Sequence, residues 1–180
     1  MGIIKTKRDG TITIGALSGG AFNEATGAAN AGAYTLEIDL EPGDFTWSAP
    51  GPTIVDFLDR DEFTDLPQVR KGTDQPVTCS FSKHMDKLTD SAAATLLDII
   101  HQTGYVGANW PSTMGSAPGC AEVFTADILY RVEATGHCEG ADMALLFKYV
   151  TMTGGGADGT PNSITFSGVS HMAYPIPIEI

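Results

Sequence analysis

The chain has 180 residues, a length that one domain with a single core can use, and folding would bury roughly 70 % of the surface an unfolded chain exposes. Its 22 acidic against 10 basic residues give a formal charge of −12, which repels phosphate and argues against tight non-specific nucleic-acid binding. Cys79, Cys120 and Cys138 have no CxxC spacing and read as reduced thiols. No secretory leader follows the basic start and no apolar run reaches membrane length, so folding in a cytoplasm without membrane contact is expected.

The composition, with 21 glycines and only 18 % charged residues, suits strands joined by turns and surfaces covered by neighbours. Residues 1–10 read as an arm, with Ile3 and Ile4 exposed and in need of a partner. Thr11 to Ile14 alternate with period two and begin the first strand. Residues 15–33, rich in Gly, Ala and Asn and including Phe22, have no periodicity that buries a face. They read as a long loop, either a mobile surface segment or one that contacts another subunit. From 34 to 41 the alternation is clear: Tyr34, Leu36, Ile38 and Leu40 on one face, Thr35, Glu37, Asp39 and Glu41 on the other.

Pro42-Gly43-Asp44 ends that strand. A second apolar run, Ile54 to Leu58, leads into an acid-rich stretch read as a solvated loop. Val77, Cys79 and Phe81 alternate with hydroxyl residues in a strand over 76–85. Over 90–102, Ala93, Leu96, Leu97 and Ile100 recur at helical spacing, with Thr89 or Asp90 as cap and Gly104 as stop, so one helix packs over a sheet. The strand-like segments 121–133, 141–153 and 163–174, joined by glycine-containing turns, form an antiparallel meander. The tail 175–180, Pro-Ile-Pro-Ile-Glu-Ile, cannot sit in a central strand and reads as an extended contact arm through Ile176 and Ile178. The outcome is a single mostly β domain over 1–180 with one helix and two arms.

Chemistry is sparse. His84, His101, His137 and His171 do not combine with the cysteines in any metal-ligand spacing. His137-Cys138 are neighbours that point apart in a strand. No GxSxG elbow is present, and Ser167-Gly168 lies within a strand-like segment. The glycine clusters at 19–20 and 154–156 lack both the GK[ST] ending and a following helix. Glu37 and Asp39 share a strand face as a glycosidase pair could, but they stand in a row of acids without an aromatic platform close in sequence. No catalytic, metal or cofactor-binding residue is assigned, and no cofactor is expected.

The run GAYTLEIDLEPGDFTWSAP at 32–50, the strand QPVTCSFS at 75–82, the helix TDSAAATLLDII at 89–100 and the strand NSITFSGVS at 162–170 together resemble the major tail tube proteins of long-tailed bacteriophages. The resemblance covers under half of the chain. It implies two packed antiparallel sheets, sandwich- or barrel-like, flanked by one helix, in subunits that join as hexameric rings and stack into a virion tail tube assembled in the host cytoplasm. DNA passes down the bore without specific binding. The partners implied are further copies of the chain and the tape measure, tail terminator and tail tip proteins. The acidic stripe Glu37, Asp39 and Glu41 is then a candidate bore lining, and Ile3, Ile4, Phe22, Ile176 and Ile178 are candidate contacts between subunits. The alternating prolines of the tail fit no part of that pattern. Two other readings compete: another virion component, such as a head-decoration or neck protein, and a carbohydrate-active β-sandwich enzyme with a site assembled in space.

Overall fold

A computed structural model describes residues 10–39, 45–57, 68–84, 90–115, 123–132, 142–158 and 163–180. Ile3, Ile4 and Glu41 lie outside the described residues, as does most of the N-terminal arm. The described chain is mostly β, with antiparallel pairing throughout. Its strands are β1 (Gly10–Ala16), β2 (Tyr34–Asp39), β3 (Thr46–Ser48), β4 (Ile54–Phe57), β5 (Gln68–Lys71), β6 (Val77–His84), β7 (Thr125–Val132), β8 (Met143–Asp158), β9 (Ser163–Ser170) and β10 (Ile176–Glu179).

Eight of these form one sheet in the order β2-β1-β7-β8-β9-β6-β3, with β10 also on β8, while β4 and β5 pair separately. The meander expected at the end of the chain is present as β7-β8-β9. The two packed layers take the form of one curled sheet. On a flat sheet the edge strand β3 would lie three ladders, about 14 Å, from β8. Yet the Trp47 and Phe147 ring centroids are 6.1 Å apart, and Phe45, just before β3, stacks on Tyr130 of β7 at 4.4 Å. The sheet therefore folds over on itself, and the side chains on its inner face form the main core.

That core is the alternation made physical. Ile12 and Ile14 of β1, Ile38 of β2, and Val77, Cys79 and Phe81 of β6 are buried with Ile128, Phe147, Val150 and Phe166. The helical region differs from the single helix expected over 90–102. It holds two short helices, α1 (Leu96–His101) and α2 (Gly104–Asn109). The Asp90 carboxylate accepts the Ala92 N–H at 2.9 Å, a local turn that competes with helix. Thr95 is the cap, accepting the Asp98 N–H, and Gln102 ends α1 in a left-handed conformation. Asp98 is itself buried and accepts the hydroxyls of Thr95 at 2.9 Å and Thr103 at 3.0 Å, which ties the two helices together. Leu96, Ile99 and Val106 seal the core.

A second, smaller cluster lies on the opposite sheet face: Ala21, Phe22, Leu129, Ala144, Leu146 and Ile178. It corrects two expectations. Residues 17–33 are a strap folded on this chain's own sheet, whereas Gly15 and Ala16 belong to β1. Within the strap the Asn23 side chain accepts the Ala25 and Thr26 N–H groups. Phe22 bridges to Ala29, and the Asn30 N–H donates to the Ala21 carbonyl. The strap runs so close to β1 that a Cβ on Gly15 would stand 2.7 Å from Ala21 and Phe22, so only glycine fits there.

The tail is likewise a strand rather than a free arm. β10 pairs with Met143 to Leu146 of β8, and Ile178 is only 3 % exposed. Proline is tolerated because of phase. The Ile180 N–H donates to the Asp142 carbonyl at 2.8 Å, which directs the even-numbered amides toward β8 and leaves position 177, where proline has no N–H, on the outer edge.

Candidate functional site

Residues directly opposite on neighbouring antiparallel strands share a face, so the acidic row can be placed from register alone. Glu37 lies opposite Thr13, Thr13 opposite Leu129, and Leu129 opposite Leu146. Glu37 is exposed, on the sheet face away from the main core and in the row that runs into the strap cluster. Asp39 holds the equivalent register position opposite Thr11. Among the proposed contact residues, Phe22 is buried at 3 % exposure with Ile178, and Ile176 is half-buried against them. Phe22 and Ile178 are thus consumed inside the subunit, because the strap and the tail strand cover each other's apolar faces, and neither is available to a neighbour.

The surface that is available is one the sequence reading passed over. β4 and β5 form a two-stranded ribbon that pairs with no strand of the main sheet among the described residues. Ile54 is 70 % exposed and Val55 is 44 % exposed. As neighbours on one strand they point to opposite faces, so both faces of the ribbon present an apolar side chain to solvent. At the ribbon base the Thr53 N–H donates to the Thr73 carbonyl, and Lys71 pairs with Asp74 at 2.7 Å, which raises the Lys71 pKa. The sequence signal was the apolar run at Ile54 followed by a polar stretch and the short QVRK segment, a hairpin with a long connection.

Among the described residues the outer side of β10 is unpaired, and the strand order of the main sheet ends in two further unpaired edges, β2 and β3. Each of these two carries a large exposed ring, Tyr34 on β2 and Trp47 on β3. Tyr34 stacks on Trp110 at 6.3 Å, which steadies the start of the β2 edge. An open groove of about 350 Å³ lies beside β3, lined by hydroxyls of Thr46, Ser48, Thr78, Ser80 and Ser167. Among the described residues that line it, Cys79 is the one titratable group, and burial pushes its thiol up to about 12. A thiol held there is not ionised at neutral pH and is no nucleophile.

The remaining polar constellation joins strap and sheet. Asp127 is fully buried, accepting the Ala21 N–H at 2.8 Å and the Tyr149 N–H at 2.9 Å. Burial pushes its carboxyl above the usual carboxylate range, against the opposing pull of the two amides, Lys148 and Thr113. Lys148 pairs with Glu24 of the strap at 2.6 Å and lies 4.9 Å from the Tyr149 ring centre. Its pKa is raised, chiefly by the hydrogen bond to Glu24. The signal for both residues was a charge in the middle of an apolar strand run.

Among the described residues no three His, Cys, Asp or Glu side chains gather as metal ligands, and no helix is long and apolar enough to cross a membrane. Comparison with protein-family models, with characterised proteins and with solved structures finds no match.

Proposed function

We propose that this chain is a structural subunit that assembles with copies of itself into stacked rings, the tail tube of a long-tailed phage, through which DNA passes without specific binding. The observation that carries this reading is the ribbon of β4 and β5, which exposes Ile54 and Val55 on opposite faces and pairs with no strand of the main sheet among the described residues. An isolated two-stranded ribbon is marginal in water, and exposed Ile and Val side chains on both faces gain stability when another surface covers them. The two unlike open edges support the same reading. An interface between different patches of identical subunits runs head to tail and closes into a ring when its rotation allows. The hexameric number and the tape measure, terminator and tail tip partners come with the family resemblance. Glu37, exposed on the outer sheet face, serves as part of the acidic bore lining in this reading, and the chain carries no catalysis.

Negative-stain electron microscopy across protein concentration, with light scattering to size the species, tests it. Six-fold rings or hollow tubes are expected. Closed assemblies of another symmetry would favour a neck or head-decoration role, and a monomer at every concentration, also when seeded with tail tips, would overturn self-assembly. For the bore, lysine at positions 37, 39 and 41 in assembled particles is expected to slow DNA delivery, and unchanged delivery would remove the acidic row from the lumen.

A further inference from the structure

Strand β8 turns a corner at Lys148 and Tyr149. Before the corner, residues 143–146 pair with β10; after it, residues 150–158 pair with β9. The ladder with β7 shifts register at the same level, between Ala126 and Ile128. Tyr149 has φ 54°, a left-handed conformation disfavoured for a bulky L-residue and kept only where the surroundings impose it. What imposes it is a set of hydrogen bonds around the corner. The Tyr149 N–H donates to Asp127 Oδ1, Ser170 Oγ donates to the Lys148 carbonyl at 2.7 Å, and the His171 N–H donates to the Tyr149 carbonyl at 3.3 Å.

The strap is anchored at the same place. The Ala21 N–H donates to the other oxygen of the same carboxylate, Asp127 Oδ2, and Glu24 takes the Nζ of Lys148, one of the two corner residues. One buried carboxylate thus ends the strap on one oxygen and the strained corner on the other. Loss of either partner rotates or repolarises the group that holds the second.

We propose that the strap and the β8 corner are one two-state element coupled through Asp127, so that the strap and the bend of the sheet are ordered or released together. The bend lies between the half that carries β10 and the half formed by β9, β6 and β3. This does not rest on the tube reading, since the coupling is a property of the single chain.

The test is amide hydrogen exchange on the full chain carrying Asn30→Ala. The Asn30 side chain donates to the Gly20 carbonyl at 3.1 Å, a bond internal to the strap, so the variant loosens the strap without touching β8. Exchange at Ala21 is expected to rise about fivefold, the scale of one lost hydrogen bond, with Tyr149 and His171 rising in step. Faster exchange confined to the strap, with Tyr149 and His171 at wild-type rates, overturns the proposal. A second variant, Asp127→Asn, is expected to release strap and corner amides together, and release of one set alone overturns it as well. If Asp127→Asn fails to fold, Asn30→Ala decides by itself.

Discussion

Single buried polar atoms decide how firmly the outer face of this sheet is organised. Asp127→Ala leaves the Ala21 and Tyr149 amides without their acceptor, and a buried unpaired donor is expensive, so a loss of about 3 kcal/mol is expected from the shift in urea midpoint. Asp127 also contributes a pH dependence whose sign follows from its raised pKa. The folded state takes up the proton more readily than the unfolded state. The contribution of this group to stability therefore falls as pH rises from the ordinary aspartate value, about 3.9, through the raised folded value, and is level above it. Urea titrations over a pH series are expected to show that slope in the wild type and its absence in Asp127→Asn, beneath a constant offset for the amide that replaces one acceptor. Cys79 sits at the other extreme. Buried and pushed up to about 12, it is expected to resist alkylation at pH 8 until the chain unfolds, as peptide mapping after iodoacetamide treatment would show.

Among elements, the tail is packed into the subunit where its sequence suggests a contact arm, and the ribbon leaves Ile54 and Val55 exposed. Ile178→Ala is expected to cost about 3 kcal/mol, as truncation in a packed cluster does, whereas a free arm would show almost none. Ile54→Lys combined with Val55→Thr is expected to leave the thermal midpoint of the monomer nearly unchanged and to abolish the large species in light scattering. Alternation made the strands readable, because period two forces Ile12 and Ile14, or Val77, Cys79 and Phe81, onto one side whatever the topology. The strap was opaque, because Ala, Gly and Asn acquire a buried face only when β1, β7 and β10 lie beneath them. The helical start was misplaced because Asp90 and Thr95 are both competent caps, and the Asp90–Ala92 turn decides between them. The tail prolines excluded a central strand and read as an extended contact arm, whereas its place as an edge strand depends on the pairing of β10 with β8, a long-range fact. The candidate site was least readable. Exposure of Ile54 and Val55 depends on what fails to cover them, and apolar character alone does not tell a core residue from an uncovered one.

At the scale of the whole molecule, a body at −12 opposes its own association, and any contact between copies must overcome that repulsion with apolar area. Raising sodium chloride from 50 to 500 mM is therefore expected to lower the protein concentration at which assemblies first scatter light; the opposite trend would mean that ion pairs make the contact. The outward proline of β10, Pro177, carries its own consequence. If the chain assembles as proposed, subunits would have to accumulate before a tube is nucleated, and each open strand edge in that pool would be an opportunity for irreversible pairing. An edge with an outer donor missing cannot be extended by a stray strand at that position, so Pro177 would act in that setting as storage chemistry, keeping idle subunits separate. Pro177→Thr should then shorten the shelf life of concentrated subunit, read as earlier thioflavin-positive aggregation, while leaving the finished assembly unchanged.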